Sequence, residues 1–278
     1  MPETTVSIVT FNNEATIEQC LKSLCTQRGV SVSVFDNAST DATCDIIKNS
    51  HEEVHLVENA SNIGFGAAHN AALKSCHSDF VLLLNPDAWL EPGALSRLCT
   101  ALSNDERLAL AGPRVEYGDG RAQLSFGSYP GLAADLKQRR LTKRVQAGHT
   151  KTLAWLEKRL KKPFSPDWIS ASCVLIRRPC LEKIGFFDEN FFLYWEDVDL
   201  CRRLTLEGYR IRVEPSALCH HLEGYSQPKA ADQRHHFRRS RLIYENKYGS
   251  RLGFELYKLL RARCVDLKYD RNLVYRPG

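Results

Sequence analysis

The sequence predicts an α/β protein with a mainly parallel sheet and helices on both faces, and three observations carry that prediction. Short apolar strand patterns alternate with helical ones from Val6 to Leu84, the βαβα succession from which parallel sheets are built. Phe80 to Leu84 is an uninterrupted apolar run, as a strand buried on both faces requires. The segments that end the strands are polar: Thr10-Phe11-Asn12-Asn13, Asp36 to Asp41, and Asn85-Pro86-Asp87. In open sheets of this kind, ligands bind outside the carboxyl ends of the strands.

The first strand runs from Val6 to Phe11, and Ala15 to Cys25 is a helix with Ile17, Cys20, Leu21 and Leu24 on one face. Val30 to Phe35 is the second strand, Asp41 to Lys48 a helix, and Val54 to Val57 a short strand. Asn62-Ile63-Gly64-Phe65-Gly66 is a glycine turn opening a helix over Ala67 to Ser75, which carries His69 and Asn70. After the central strand, Pro92 to Leu102 reads as helix, and Leu108 to Ala111 and Gln123 to Phe126 as strands around a turn at Gly118-Asp119-Gly120. Ile169 to Arg177 is a strand and Cys180 to Ile184 a short helix. Arg210 to Val213 is a final strand before Cys219-His220-His221, and Asp232 to Arg263 a basic helical tail. The expected organisation is one domain over 1–227, with halves 1–112 and 113–227, a basic insertion at 133–163 and a tail at 228–278.

Composition narrows the class. Hydrophobic and charged fractions of 43% and 26% predict a soluble protein with a sizeable core. No apolar run approaches the roughly 18 residues that cross a bilayer. The start, MPETTVSIVTF, lacks the basic and continuously apolar regions of a signal peptide, so the cytoplasm is the expected location. Ten cysteines are scattered without a CxxC pair, which points to reduced thiols and away from zinc. A net charge of +5 invites a nucleic-acid reading, but no helix-turn-helix, zinc finger or RNP pattern accompanies it.

Residues Phe191 to Arg203, FFLYWEDVDLCRR, carry the sharpest chemistry. An aromatic run delivers Glu196, Asp197 and Asp199 to the start of an amphipathic helix, where acids offset the partial positive charge of the N-terminus. Apolar surroundings also lift a carboxyl pKa towards that of a general base. Glu196 is expected to cap the helix or orient an acceptor, and Asp199 to pair with Arg202 or Arg203. Asp36, ending the second strand, suits a hydrogen bond to a base or sugar hydroxyl; an Asx-turn made by Asp36 or Asn37 is the alternative. Asp87, directly after the buried strand, suits a hard divalent cation bridging diphosphate oxygens, against the alternative of a helix-initiating Asp. His220 and His221 could complete that site. GxGxxG is missing after the first strand, which argues against a nicotinamide cofactor.

The ordered series VSIVTFNN, DNASTD, NIGFG, LLLNPDA, SASCVLIRR, IGFFDENFFLYWEDVDLCRR and HLEGYS resembles the family 2 inverting glycosyltransferases of GT-A fold, in their rhamnosyltransferase-like branch. The resemblance implies a Rossmann-like GT-A domain over 1–227 whose first half holds a nucleotide-sugar donor. Thr10, Phe11, Asn12, Asp36, Asn37 and Asn62 would contribute to that donor site, with Asp36 on the nucleobase. Gly64, Phe65, Asn70, Asn85 and Asp87 would complete it. It further implies Mg²⁺ or Mn²⁺ on Asp87 and the late histidine His221, Asp197 as catalytic base beside Glu196, and Ser170, Ala171 and Trp195 towards the acceptor. Asn85 stands where the family usually has the first acid of Asp-x-Asp, implying weaker metal dependence, and Ser170-Ala171-Ser172 stands where Gly-Ala is frequent.

The implied reaction moves rhamnose from dTDP-rhamnose to a bacterial cell-surface glycan or lipid-linked saccharide. A UDP-hexose or UDP-GlcNAc donor is the alternative within the class, since one or two pocket contacts decide the sugar. A catalytically silent nucleotide- or glycan-binding protein is the alternative outside it, although Asp197 and Asp87 are both present. Residues 137–162 carry ten Lys or Arg and the single acid Glu157, interleaved with Leu141, Val145, Leu153, Trp155, Leu156 and Leu160. That pattern suits a surface-lying amphipathic helix on an anionic membrane; a solvated basic helix is the alternative.

Overall fold

The computed structural model describes residues 3–74, 76–222 and 230–249, together with 254, 255 and 257. Its strands are β1 (Thr4–Thr10), β2 (Val30–Asp36), β3 (His55–Glu58), β4 (Phe80–Leu84), β5 (Ala88–Leu90), β6 (Leu108–Glu116), β7 (Phe126–Gly127), β8 (Trp168–Ile169), β9 (Cys173–Arg177) and β10 (Arg210–His221). Eight of them form one sheet in the order β3-β2-β1-β4-β9-β6-β10-β5, and β7 pairs with β8 in a separate ribbon. The four strands from β3 to β4 are parallel, as is the β6–β10 pair. Strand β9 runs antiparallel to both β4 and β6, and β5 antiparallel to β10. The sheet is therefore α/β and mainly parallel, as expected.

Side-chain alternation along β4 divides the core into two layers. Leu82 and Leu84 pack with Val6 and Ile8 against α1 (Ile17–Leu24), α2 (Thr43–Ser50) and α4 (Ala94–Ser103). Val81 and Leu83, facing the other way as period-two geometry demands, join the second layer. That layer contains Leu73 of α3 (Phe65–Leu73), Leu181 of α7 (Arg178–Lys183), and Leu200 and Leu204 of α8 (Glu196–Leu206). Val145 of α5 (Leu132–Gln146) and Leu156 of α6 (Thr150–Arg159) belong to it too.

Several sequence expectations change. Ile169 to Arg177 is not one strand: the chain leaves β8 at Ser170-Ala171-Ser172 and re-enters the main sheet at Cys173, with Asn85 N donating to Ser172 O at 2.8 Å. Within Gln123 to Phe126 only Phe126 belongs to a strand, Ala122 contributing an isolated bridge to Glu116. His220 and His221 lie inside β10, which a register shift between Glu214 and Leu218 carries on to pair with β5. Residues 137–162 form two helices, and α6 is tied to β6 by a bidentate Arg114–Glu157 pair at 2.8 Å. The tail begins as α9 (Ala230–Tyr248), starting two residues before the expected Asp232, and packs Tyr244 on Phe191 and Val198. Nine cysteines are free among the described residues, with Cys25 exposed and the buried ones serving as core. Residues 223–226 of HLEGYS and the tail positions 250–253, 256 and 258–263 lie outside the described residues.

Candidate active site

A cavity of about 1170 Å³ opens at the carboxyl ends of β1, β2 and β4. It exceeds the roughly 300–1,000 Å³ of a pocket for one small ligand. Thr10, Phe11, Asn12, Asn37, Asn62, Gly64 and Phe65 line one side. The Asn37 amide donates to Gly64 O at 3.2 Å and accepts from Ile63 N at 3.3 Å, so the ends of β1 and β2 and the glycine turn form one rim. Gly64 is required there: its φ is +92°, and a Cβ would sit 2.5 Å from Phe192 O. Phe65 N donates to that same carbonyl at 2.8 Å, joining the rim to the aromatic loop.

Two expected donor residues are hydrogen-bonded within the fold and stand off the cavity wall. Asp36 does not line the cavity. Its carboxylate accepts from Thr10 Oγ1 at 2.7 Å and from Ser39 N at 2.8 Å, holding the loop as an Asx-type turn. Asn70 is likewise absent from the wall and pins Phe187 instead, donating to its carbonyl and accepting from its N–H at 3.0 Å each.

The second corner joins Asn85, Asp87 and His221, brought together because β5 pairs His221 with Ala88. His221 Nδ1 lies 3.0 Å from Gln123 Oε1, which can only accept, so the imidazole carries its proton there and its Nε2, at the cavity side, accepts from the Asn85 amide at 3.3 Å. That Nε2 is 3.2 Å from Asp87 Oδ1, a buried oxygen without a hydrogen-bond partner, and Asn85 Oδ1 is similarly unpartnered. Facing acceptors without a proton between them suit a cation, and the Gln123 contact is the support that metal-bound histidines usually have. Among the described residues no three His, Cys, Asp or Glu side chains gather. The fit is thus to an ion that takes most of its ligands from substrate oxygens and water, as Mg²⁺ does. His220 is engaged elsewhere, stacked on Trp89 and 3.0 Å from Glu91.

The third corner is the start of α8. Tyr194 and Trp195 hold left-handed backbone, φ 68° and 72°, an uncommon conformation for aromatic residues that turns Trp195, Glu196 and Asp197 into the cavity. Burial pushes the Asp197 carboxyl up to about 6, against backbone hydrogen bonds from Val198 and Ala171. Burial, and then the charges of Asp197 and Asp199, push Glu196 well above the usual carboxyl range. The Oε2 of Glu196 is buried without a hydrogen-bond partner. Asp199 is wholly buried, accepting from Arg203 Nε at 2.7 Å, Lys247 Nζ at 2.8 Å and the Tyr248 hydroxyl at 2.7 Å. Ser170, Ala171 and Trp195 all line the cavity, whereas Phe191 turns inward to the α9 contact.

Two walls were not anticipated. Helix α5 presents Asp135, Gln138, Arg139, Thr142, Lys143 and Gln146, and α9 presents His236, Phe237 and Arg241. Arg241 is buried, pairs with Asp135 at 2.8 Å and lies 4.4 Å from the Trp195 ring, tying both helices to the aromatic loop. Phe237, Arg241, Tyr244 and Tyr248 recur at helical spacing, a stripe that the basic composition of the tail masked.

The model of "Glycosyl transferase family 2" matches residues 5–185. The chain belongs to this family. It is a glycosyltransferase, of the rhamnosyltransferase-like kind. An N-acetylglucosaminyl-diphospho-decaprenol L-rhamnosyltransferase of Mycobacterium tuberculosis is 32% identical over 235 residues, covering 80% of this chain and 76% of the relative. A pre-mycofactocin glycosyltransferase of the same species is 29% identical over 226 residues, 79% of this chain and 42% of that protein. The solved mannosyltransferase PcManGT of Pyrobaculum calidifontis, in complex with GDP-Man and Mn²⁺, superposes with a TM-score of 0.60 at 19% identity. That likeness covers 95% of this chain and 70% of the other, and it establishes the GT-A fold for this glycosyltransferase. Among its described residues no helix is long and apolar enough to cross a membrane.

Proposed function

We propose that this glycosyltransferase moves rhamnose from dTDP-rhamnose to a hydroxyl of a lipid-linked bacterial saccharide, with inversion at the anomeric carbon and Asp197 as general base. The observation that carries the reading is the Asp197 carboxyl, open to the cavity with a pKa raised to about 6. Such a group is ionised near pH 7 yet basic enough to take a proton. Burial and then the charge of Asp197 push the neighbouring Glu196 up as well, so the two acids titrate as a pair, and Asp197 is the member proposed to take the acceptor's proton. The relative's printed activity, rhamnosyl transfer to a diphosphate-linked N-acetylglucosamine, supports both the donor and the acceptor class.

In the proposed step Asp197 accepts the acceptor's hydroxyl proton as that oxygen forms its bond to the anomeric carbon. The bond from that carbon to the diphosphate oxygen breaks, and the nucleoside diphosphate departs with the electron pair. Asp87 and His221 would hold Mg²⁺ or Mn²⁺, which neutralises charge on the leaving diphosphate. Thr10, Asn37 and Gly64 shape the donor rim, and Ala171 and Trp195 the acceptor side. The donor half extends through 1–112 and the acceptor half through 113–227, both contributing to one sheet.

Peripheral contact with an anionic bilayer is a second part of this proposal. Leu136 and Trp155 are 64% and 42% exposed on the basic helices α5 and α6, a combination suited to the lipid interface. Flotation with anionic vesicles at low salt tests it; no binding there would remove the membrane contact.

The reaction is tested by supplying dTDP-rhamnose, UDP-GlcNAc, UDP-glucose or GDP-mannose, each with Mg²⁺ or Mn²⁺ and a prenyl diphosphate-linked N-acetylglucosamine. The expected product comes from dTDP-rhamnose with the opposite anomeric configuration to the donor. Preference for another nucleotide sugar, or retention of configuration, would overturn the proposal.

A further inference from the structure

The basic segment contributes two cations to the cavity that the donor chemistry at Asp87 leaves unassigned. Arg139 and Lys143 line the cavity from α5, four residues apart and therefore neighbours on one helix face. Like charges at that spacing destabilise a helix. Among the described residues no acid, carbonyl or aromatic ring engages either of them, and the acid one turn earlier, Asp135, gives its carboxylate to Arg241. Gln138 on the same wall is committed to Phe126 O at 3.0 Å. A concave wall with two adjacent unpaired cations is a place for an anion carrying more than one charge.

The geometry selects among phosphate-bearing ligands. Leu136, 64% exposed, lies three and seven residues before these cations, and so continues the same side of α5 away from the cavity. Exposed charge at the edge of the cavity followed by exposed apolar surface matches an anionic head joined to a hydrocarbon chain.

We propose that Arg139 and Lys143 form a second diphosphate-binding subsite, which receives the diphosphate of a prenyl-linked acceptor while Leu136 meets the start of its chain. This rests on the acceptor class proposed above. Arg139 and Lys143 share the cavity with Asp87 and His221 but come from α5, and the Asp87–His221 corner is left to the nucleotide's diphosphate of the proposed donor.

Binding measurements on the full chain test it without reference to catalysis. Farnesyl diphosphate, a prenyl diphosphate lacking any sugar, is titrated in excess dTDP and Mg²⁺ that fill the nucleotide corner. Farnesol serves as the chain-only probe. The unaltered protein is expected to bind farnesyl diphosphate at least about tenfold more tightly than farnesol, and the doubly substituted Arg139→Gln, Lys143→Gln protein to lose about tenfold or more of that affinity. Its dTDP affinity, measured alone, should stay within about twofold, and its melting temperature should not fall, because Gln is a good helix former on an exposed face. Unchanged farnesyl diphosphate binding in the double variant would overturn the proposal. So would an equal loss of dTDP affinity, which would assign both cations to the donor. Failure of the unaltered protein to bind dTDP would count against the proposed donor instead, and the farnesyl diphosphate comparison would still judge the cation pair.

Discussion

His221 Nε2 lies 3.2 Å from Asp87 Oδ1, across 134 residues of sequence and without a hydrogen bond between them. The contact exists because β5 and β10 pair at His221 and Ala88, and Gln123 fixes the ring from behind. Removing that support by Gln123→Leu should weaken Mn²⁺ affinity, measured with dTDP present, by about 10–100-fold. Asp87→Asn should weaken it further. Unchanged affinity in both variants would contradict the assignment of this corner to a cation.

The charges that hold α8 against α9 give a second prediction. Asp199 is wholly buried and shared by Arg203, Lys247 and Tyr248. Asp199→Ala leaves Arg203 without its acid and Lys247 with Asp188 alone, so urea unfolding should report a loss of about 3 kcal/mol with an unchanged dependence on denaturant. A loss below about 1 kcal/mol would mean that the helices are held chiefly by apolar contacts such as Phe191 with Tyr244.

His69 links stability to pH. It is fully buried beside Ser7, whose hydroxyl lies 2.8 Å from its Nδ1, and burial lowers its pKa from 6.5 to about 3. Between those values the unfolded chain binds a proton that the folded chain refuses, so this contribution is present above pH 6.5 and is lost as pH falls towards 3. Asp197 acts in the opposite direction, because its raised carboxyl binds a proton in the folded state first. The difference between the unaltered protein and His69→Gln isolates the histidine. Unfolding free energies from pH 7.5 to 5 should fall more steeply in the unaltered protein, by up to about 1.4 kcal/mol per pH unit. Parallel curves would contradict a neutral buried His69.

Much of this architecture is legible in the chain because it is local. The alternating strands through Leu84, the all-apolar β4 and the polar residues that follow β1, β2 and β4 mark one rim of the cavity. The acid cluster after the aromatic run is equally visible. What escapes depends on partners far away in sequence. Three-residue β5 is defined only by β10, and the break at Ser170-Ala171-Ser172 only by competition between the β7–β8 ribbon and the main sheet. The turn that Asp36 makes with Ser39 is local and is open to the sequence as an alternative, whereas its bond from Thr10 and the hold of Asn70 on Phe187 depend on residues far along the chain. The cavity face of α5 is polar, so its periodicity resembles that of any solvated helix.

The central claim is that Asp197 is the base of a glycosyl transfer, and its most direct test is the pH dependence of kcat/KM for the unaltered enzyme beside Asp197→Asn. Activity of the unaltered enzyme should fall about tenfold per pH unit below about 6, where the carboxyl takes up its proton, and level off above it. Asp197→Asn, which keeps the shape and removes the base, should lose about 10²-fold or more at pH 7.5 together with the limb near pH 6. A variant that retains more than about a tenth of the activity, or that reproduces the same limb, would contradict the assignment.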